Sequence, residues 1–520
     1  MTPSMSQNFS ENTMAKPIFS GCCARMRKNK IKTSFMKVQT EVGPCLNNAS
    51  NARVERVNFK YFSLALERRV GIMDERYALM TRVLRREVCP SLGCTEPAAV
   101  GIAVSLAFNA AINNLEGIKV KQHAKLDDIL KIREIQVKMD RNVFKNSADV
   151  GIPNSGGRRG LKTAIIMSLL GDPERSLMIF ESVKPEAFQL INILADRVNI
   201  SIEDTWSGES ELYIEAIVTT EKGYGRAIIK HTHTNVVLVE SNKGVLYKRE
   251  EQGCQGENTI YRDEAEFKKL KIADLIEYVE QMPKEASQIV NNGIELNTKL
   301  SDAGLERPIG IGVGYYMQKG ASRNIISYLM ARTAAAVDAR MYGLPIPAMA
   351  VAGSGNQGIM ATMPIVGYAE RVSESDKNLL IKAVGLSYLL TIYTTYYSSY
   401  LSAVCGCATK AGVGASAGLA YYISGGNEEC CKRAIQNFIA DTTGIVCDGA
   451  KYSCSLKIAT AACAVYKAAV LAVEGKEPPY TNGILGRSVE ESIKNLGIVI
   501  KSMIPVDRTI VELMMEKMLT

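Results

Sequence analysis

Four cysteines near the C-terminus stand in two short strings, CGC at 405–407 and CDGAKYSC at 447–454. They lie among glycines and alanines, and no histidine occurs anywhere in the second half of the chain. Thiolates without imidazole point to an all-sulfur metal site rather than a mixed Cys/His zinc site or a Cys–His nucleophile. On one continuous helix the Cα atoms of Cys447 and Cys454 would be roughly 10 Å apart. Gly449 between them allows the first thiol to swing in from a turn while the second sits on a helix beginning near Ala450. Cys405 and Cys407 flank one glycine and precede KAGVGASAG, whose small residues allow close backbone approach. Buried cysteines without metal are the competing reading of the same strings.

Cys94, in SLGCTEP, has a different character. It precedes a long apolar helix that Thr95 or Glu96 is placed to cap. Free amides at that helix start would favour a substrate carboxylate. The same field predicts a lowered thiol pKa, making Cys94 a base or nucleophile near neutral pH. GSGNQG at 353–358 offers Ser354, Asn356 and Gln357 as polar groups in a small-residue loop. It carries no Gly-Lys-Ser/Thr and lacks the dinucleotide spacing, so it is neither kind of phosphate loop. HTHTN at 231–235 places His231 and His233 two apart, on one face if the segment is a strand. Metal binding, substrate steering and simple sheet packing all remain open for that pair.

These residues need a scaffold of some size, and 520 residues suffice for two or three domains. The net charge of +8 is carried by residues 1–72, which hold twelve Lys/Arg and four Glu; the remaining chain has fifty of each sign. A neutral body offers no basic face to a phosphate backbone, so no nucleic-acid partner is expected. The first 72 residues are polar, basic and acid-poor, and are expected to be a disordered or leader-like extension. Thirteen cysteines spread along the chain suit a reducing compartment. A cytoplasmic location is expected, with an organellar leader left open by the basic extension. The uncharged stretch from Ala383 to Thr409 is long enough for a bilayer, but its repeated Tyr, Ser and Thr predict a buried helix and no membrane partner.

Residues 74–88 and 97–113 read as helices. Between about 135 and 250, EIQVKM, VNISIED, LYIEAIVTTE, GRAIIKHTHT and NVVLVES show strand-like alternation, interrupted by helical runs at 158–170 and 184–197. From 264 onward helical periodicity dominates, with Ala-rich segments at 328–340 and 456–473. The expected fold class is α+β. Residues 73–134 plus 251–520 form a predominantly helical catalytic domain, and 135–250 form an inserted α/β module.

Taken together, SLGCTEP, GSGNQG, CGC and CDGAKYSC resemble the L-cysteine desulfidase family, which is related to the iron–sulfur L-serine dehydratase alpha chains. The likeness runs from about Met73 to the C-terminus and includes the weaker strings HTHTN and GRRGL at 157–161. It implies a [4Fe–4S] cluster held by Cys407, Cys447 and Cys454, with Cys405 the alternative to Cys407. It implies Cys94 as the active-site base. Thr95, Glu96, Ser354, Asn356, Gln357 and His233 are then expected around a small amino-acid substrate, and Lys451 and Lys457 to balance cluster charge. The expected reaction is PLP-independent α,β-elimination of L-cysteine to pyruvate, ammonia and sulfide. L-Serine dehydration and a non-catalytic iron–sulfur sensor or redox role are the rivals. The chain has CTEP where serine dehydratases carry Ser-Ser-His-Thr, and it lacks their separate beta-type domain. A homo-oligomer is left open.

Overall fold

Apolar residues on every face of a segment bury it completely, and the segment after Cys94 does this. In the computed structural model, which describes residues 75–520 except 185–186, 188, 204–211, 250–256, 322–323, 373–374 and 520, the opening helix α1 (75–87) leads into the short strand β1 (Val88–Ser91). Helix α2 (Thr95–Ala111) follows, and all seventeen of its residues are buried. The expected basic extension at 1–72 lies outside the described residues.

Strand β2 (Ile132–Asp140) and the short helix α3 (Arg141–Ser147) come next, the latter capped by Asp140, which accepts from the amides of Asn142 and Val143. The strands that join β2 are β3 (Val198–Glu203), β4 (Tyr213–Thr220), β5 (Gly223–Lys230), β6 (Val236–Ser241) and β7 (Gly244–Lys248). They form one six-stranded sheet in the order β3-β2-β4-β5-β6-β7. The β2–β3 pair is parallel and the others antiparallel. Alternate residues of β4 are buried, as a sheet with one covered face requires. The cover includes α2, which packs across β4, β5 and β6.

The C-terminal half is helical: α4 (Lys284–Glu306), α5 (Ile325–Tyr342), then strand β8 (Ala348–Val351) and α6 (Gly355–Ala369). After these come α7 (Lys377–Ser398), α8 (Lys410–Ser424), α9 (Glu428–Thr442), α10 (Cys454–Val473), α11 (Val489–Ser502) and α12 (Ile504–Leu519). The whole is α+β with a predominantly helical body, as the sequence pattern predicts. Antiparallel pairing of β1 with β8, Val88 opposite Val351 and Ser91 opposite Ala348, ties the segment before Cys94 to the segment before GSGNQG across 260 residues of chain.

The small residues after CGC act as expected. A Cβ on Gly414 would lie 2.3 Å from the Ser387 carbonyl oxygen, and one on Gly418 2.6 Å from that of Ala383. Backbone contact at that range is what seats α8 on α7. Helices α7 and α10 are long and apolar enough to cross a membrane by length and composition. The apolar window of α7 is 78% buried inside the protein, that of α10 50%.

Candidate active site

Cys94 is itself the N-cap of α2, with extended backbone (φ −81°, ψ 144°) and no side-chain cap bond. Neither Thr95 nor Glu96 caps the helix; both are its first residues. The Cys94 thiol instead donates to Glu96 Oε2 at 3.1 Å, and the Thr95 hydroxyl donates to the same oxygen at 3.0 Å. The expectation of a lowered Cys94 pKa is corrected here. Complete burial pushes the thiol well above its ordinary value, the Glu96 charge and hydrogen bond add to this, and the opposing positive charge of Arg340 is too weak to reverse it.

Glu96 is the hub of this corner. Its second oxygen, Oε1, accepts from Asn146 Nδ2 at 3.0 Å and stands 3.7 Å from His233 Nε2, ion-pair range for a protonated ring. Burial alone would raise the Glu96 pKa, yet the interaction with His233 and the hydrogen bond from Cys94 carry it down to about 2. The carboxylate is therefore ionised although it is buried. His233 is 5% exposed and packs against Gly353, where a Cβ would lie 3.1 Å from its ring.

The two histidines of HTHTN do not share a strand face. Strand β5 ends at Lys230, and His231 adopts a left-handed turn (φ +69°) that separates them. His231 contacts the Tyr261 hydroxyl at 3.2 Å while His233 turns inward to Glu96.

The late cysteines are brought together by a cross-brace of backbone. Val404 bridges to Val446, Cys405 N–H donates to Ile445 O at 2.7 Å, and Cys447 N–H donates to Ala403 O at 2.7 Å. This holds CGC alongside the start of CDGAKYSC. Cys454 opens α10 rather than lying inside a helix that starts near Ala450, and its thiol contacts Gly449 O at 3.5 Å. Gly449 has φ +96°, and a Cβ there would meet the Lys145 carbonyl oxygen at 2.2 Å. Glycine is needed at this turn for both reasons.

Electrostatically the four thiols behave as one group. Hydrogen bonds from Cys407 and from the Ala408 amide bring Cys405 down to about 7 against its burial. Cys407 is raised by that same bond and by burial. Burial lifts Cys447 and takes Cys454 to about 12, with the neighbouring thiols adding to both. Among the described residues no three Cys, His, Asp or Glu side chains converge on a single point as a mononuclear ion would require.

Asn146 links the two halves: it donates to Glu96, and its Oδ1 is 4.0 Å from Cys447 Sγ. On the other side Ser354 Oγ lies 4.0 Å from Cys407 Sγ. Ser354 is the N-cap of α6, so GSGNQG is a helix start rather than a free loop. Asn356 Oδ1 accepts from Arg340 Nη1 at 2.9 Å. Gln357 is committed inward, donating to Ala352 O at 3.3 Å and accepting from the Thr395 hydroxyl at 3.4 Å. Lys457 bonds Asp448 and the Val446 carbonyl, the latter at 3.1 Å. Burial lowers the Lys451 pKa.

Sequence reading did not single out Lys145, Asn146 or Arg340. Arg340 left a trace, being with Asp338 one of two charged residues in the largely apolar run TAAAVDARMYG. Lys145 and Asn146 left none, because FKNS on a short helix reads as surface.

Comparison with known proteins shows the family. Residues 175–512 match the family described as serine dehydratase alpha chain. The chain belongs to that family. Its body is therefore that of a lyase. An L-cysteine desulfidase from Methanocaldococcus jannaschii is 34% identical over 448 residues, covering 86% of this chain and all of that protein. A UPF0597 protein of Clostridium tetani is 35% identical over 449 residues, 85% of this chain and 99% of the relative. Another from Caldanaerobacter subterraneus subsp. tengcongensis is 36% identical over 451 residues, 86% of this chain and all of the relative.

Proposed function

We propose that the protein is an iron–sulfur L-cysteine desulfidase, a lyase that eliminates sulfide from L-cysteine without PLP. The observation carrying this reading is the continuity from Cys94 through Glu96 and Asn146 to Cys447, which puts the thiol of SLGCTEP and the late cysteines in one buried site. The donor chemistry fits the implied [4Fe–4S] group: several soft thiols, with the cations Lys145 and Lys457 acting on Cys447 to offset thiolate charge. Cys407, Cys447 and Cys454 would hold it. Cys407, beside Ser354 at the start of α6, is favoured over the more deeply buried Cys405. When bound, such a cluster supplies a Lewis-acidic iron for the leaving sulfur.

The chain's own residues supply the proton chemistry. Cys94 must lose its proton to bulk water before acting as base, and Glu96, ionised and in contact, orients the sulfur through its hydrogen bond rather than taking the proton. Cys94 then removes the Cα proton of the substrate. The C–H electron pair becomes the Cα=Cβ bond, the Cβ–S pair leaves on sulfur as hydrosulfide, and the proton now on Cys94 converts it to hydrogen sulfide. The product, 2-aminoacrylate, tautomerises to an imine that water hydrolyses to pyruvate and ammonia. Thr95 and Asn146 fix the Glu96 oxygens, and His233 counters its charge. The reading also includes a cytoplasmic setting and no nucleic-acid or membrane partner.

Anaerobic purification with iron and acid-labile sulfide assays, then sulfide release from L-cysteine, tests this. Cys94→Ser should lower kcat by about 10²–10⁴-fold with iron content unchanged. Cys447→Ser and Cys454→Ser should lose iron, and Cys407→Ser more than Cys405→Ser. Zinc without labile sulfide would end the reading. The family's description favours L-serine dehydration as the second reading; kcat/KM for serine exceeding that for cysteine would establish it instead.

A further inference from the structure

Arg340 is a buried cation of the helical body with two donors left unsatisfied. Arg340 lies in the last turn of α5 and is 2% exposed. Its Nη1 donates to Asn356 Oδ1 at 2.9 Å, but Nε and Nη2 are buried with no hydrogen-bond partner. Among the described residues no carboxylate lies within ion-pair distance of it. The other buried basic groups of the body have their donors engaged: Lys145 with Asp507, Arg332 with Asp302 and Glu370, and Lys410 with the carbonyls of Ser399 and Tyr400. Burying a charge with two donors unsatisfied is costly, and folds retain such an arrangement where a ligand completes it. The C-terminal end of α5 favours a cation nearby, but it leaves the two N–H groups without acceptors.

The direction of those groups is set by Gly355. A Cβ there would lie 2.4 Å from Nε, 2.6 Å from Cζ and 2.8 Å from Nη2. The unsatisfied edge of the guanidinium therefore lies against the first residue of α6. Helix geometry leaves the amides of Gly355 and Asn356 without intrahelical carbonyls, and the fifteen-residue helix adds its own positive end. The same helix start carries Ser354 beside Cys407, and the Arg340 charge reaches Cys94. A guanidinium edge with two parallel donors matches a carboxylate in bidentate fashion.

We propose that Arg340 Nε and Nη2, with the first amides of α6, bind the α-carboxylate of a small amino-acid substrate. This rests on the reading of the site as an amino-acid lyase. It also reassigns the polar groups of GSGNQG: Asn356 orients the guanidinium through its Oδ1, and Gln357, bonded to Ala352 O and the Thr395 hydroxyl, packs beside Gly406 of CGC. With the carboxylate held at α6, the Cα–H and the side-chain sulfur lie between Cys94 and the late thiols.

Arg340→Gln in the iron-loaded enzyme tests the assignment. KM for L-cysteine should rise at least about 30-fold with a much smaller fall in kcat, since a carboxylate clamp acts in ground and transition states alike. Discrimination between L-cysteine and L-cysteinamide should fall at least tenfold, which a structural role would not produce. The unfolding temperature should hold or rise, because an uncompensated buried charge is removed. Should Arg340→Gln not fold, Gly355→Ala displaces the guanidinium while retaining its charge and should raise KM in the same way. A KM within threefold of wild type with unchanged discrimination overturns the inference and leaves the desulfidase reading standing. If wild type releases no sulfide from cysteine, calorimetry with L-alanine, L-serine and pyruvate still reads the site. Binding lost in Arg340→Gln supports the carboxylate clamp independently of the reaction; no binding by wild type overturns it.

Discussion

Glu96 changes what the cysteine beside it can do. An isolated thiol at a helix start would be acidified by the helix field, yet here burial and then the adjacent carboxylate keep the proton on sulfur. The arrangement has a consequence for acid stability. The Glu96 pKa falls from an ordinary 4.5 to about 2 in the folded protein, so the folded state binds fewer protons than the unfolded chain in between. Stability from this group is fully present above about pH 4.5 and is lost as pH falls toward 2, at most about 3 kcal/mol. Glu96→Gln keeps the shape and removes the titration. Urea unfolding of both proteins from pH 6 to pH 3 should show wild type losing stability more steeply than the variant. Parallel acid limbs would mean that Glu96 is not ionised in the folded state. The same substitution should lower activity at neutral pH, because Cys94 loses the carboxylate oxygen that orients its thiol.

At the scale of elements, what could be read from the sequence was whatever depends on local period and small residues. The strands from Ile132 to Ser241 follow their alternation, and α2, α5 and α10 follow their apolar runs. The thiol motifs were visible for the same reason, since residue type and glycine context are local. Arg340, Lys145 and Asn146 were not, because their roles come from partners far away in sequence, such as Asn146 with Glu96 and Cys447. The histidine pair misled because one left-handed residue, His231, breaks the strand. Close approach between elements is likewise invisible locally and shows at Gly358. A Cβ there would lie 1.8 Å from the Met349 carbonyl oxygen, so α6 rests directly on β8. Gly358→Ala must push the helix off the strand and should cost about 3 kcal/mol or more, with a matching drop in unfolding temperature. Gly444→Ala, where nothing lies within 4 Å, is the control and should change stability by less than about 0.5 kcal/mol. Equal effects of the two would remove the argument that backbone contact sets the position of Ser354 and Asn356.

At the scale of the whole molecule, the C-terminal helix reaches back to the site through a buried ion pair. Lys145 on α3 and Asp507 on α12 are 362 residues apart, and their side chains are 1% and 2% exposed. Lys145 also donates to Ser402 O at 3.4 Å, just before CGC, and its backbone carbonyl crowds Gly449 in the second thiol string. Burial disfavours its charge, but Cys447 and Asp507 more than offset this and raise its pKa, so the ammonium persists. One lysine thus touches both cysteine segments and the last helix. Removing either partner leaves a buried charge unpaired, so Lys145→Met or Asp507→Leu should each destabilise by about 3–5 kcal/mol. The double variant replaces the pair with apolar groups and should recover much of that loss, giving strong non-additivity in a urea-unfolding cycle. Single effects that add within about 0.5 kcal/mol would show the pair is not coupled in solution. In the double variant iron retention should still fall, because the cation beside Cys447 is gone even where stability has returned. Stability and cofactor retention then separate, and that separation distinguishes a lysine serving the thiol site from one serving only the fold.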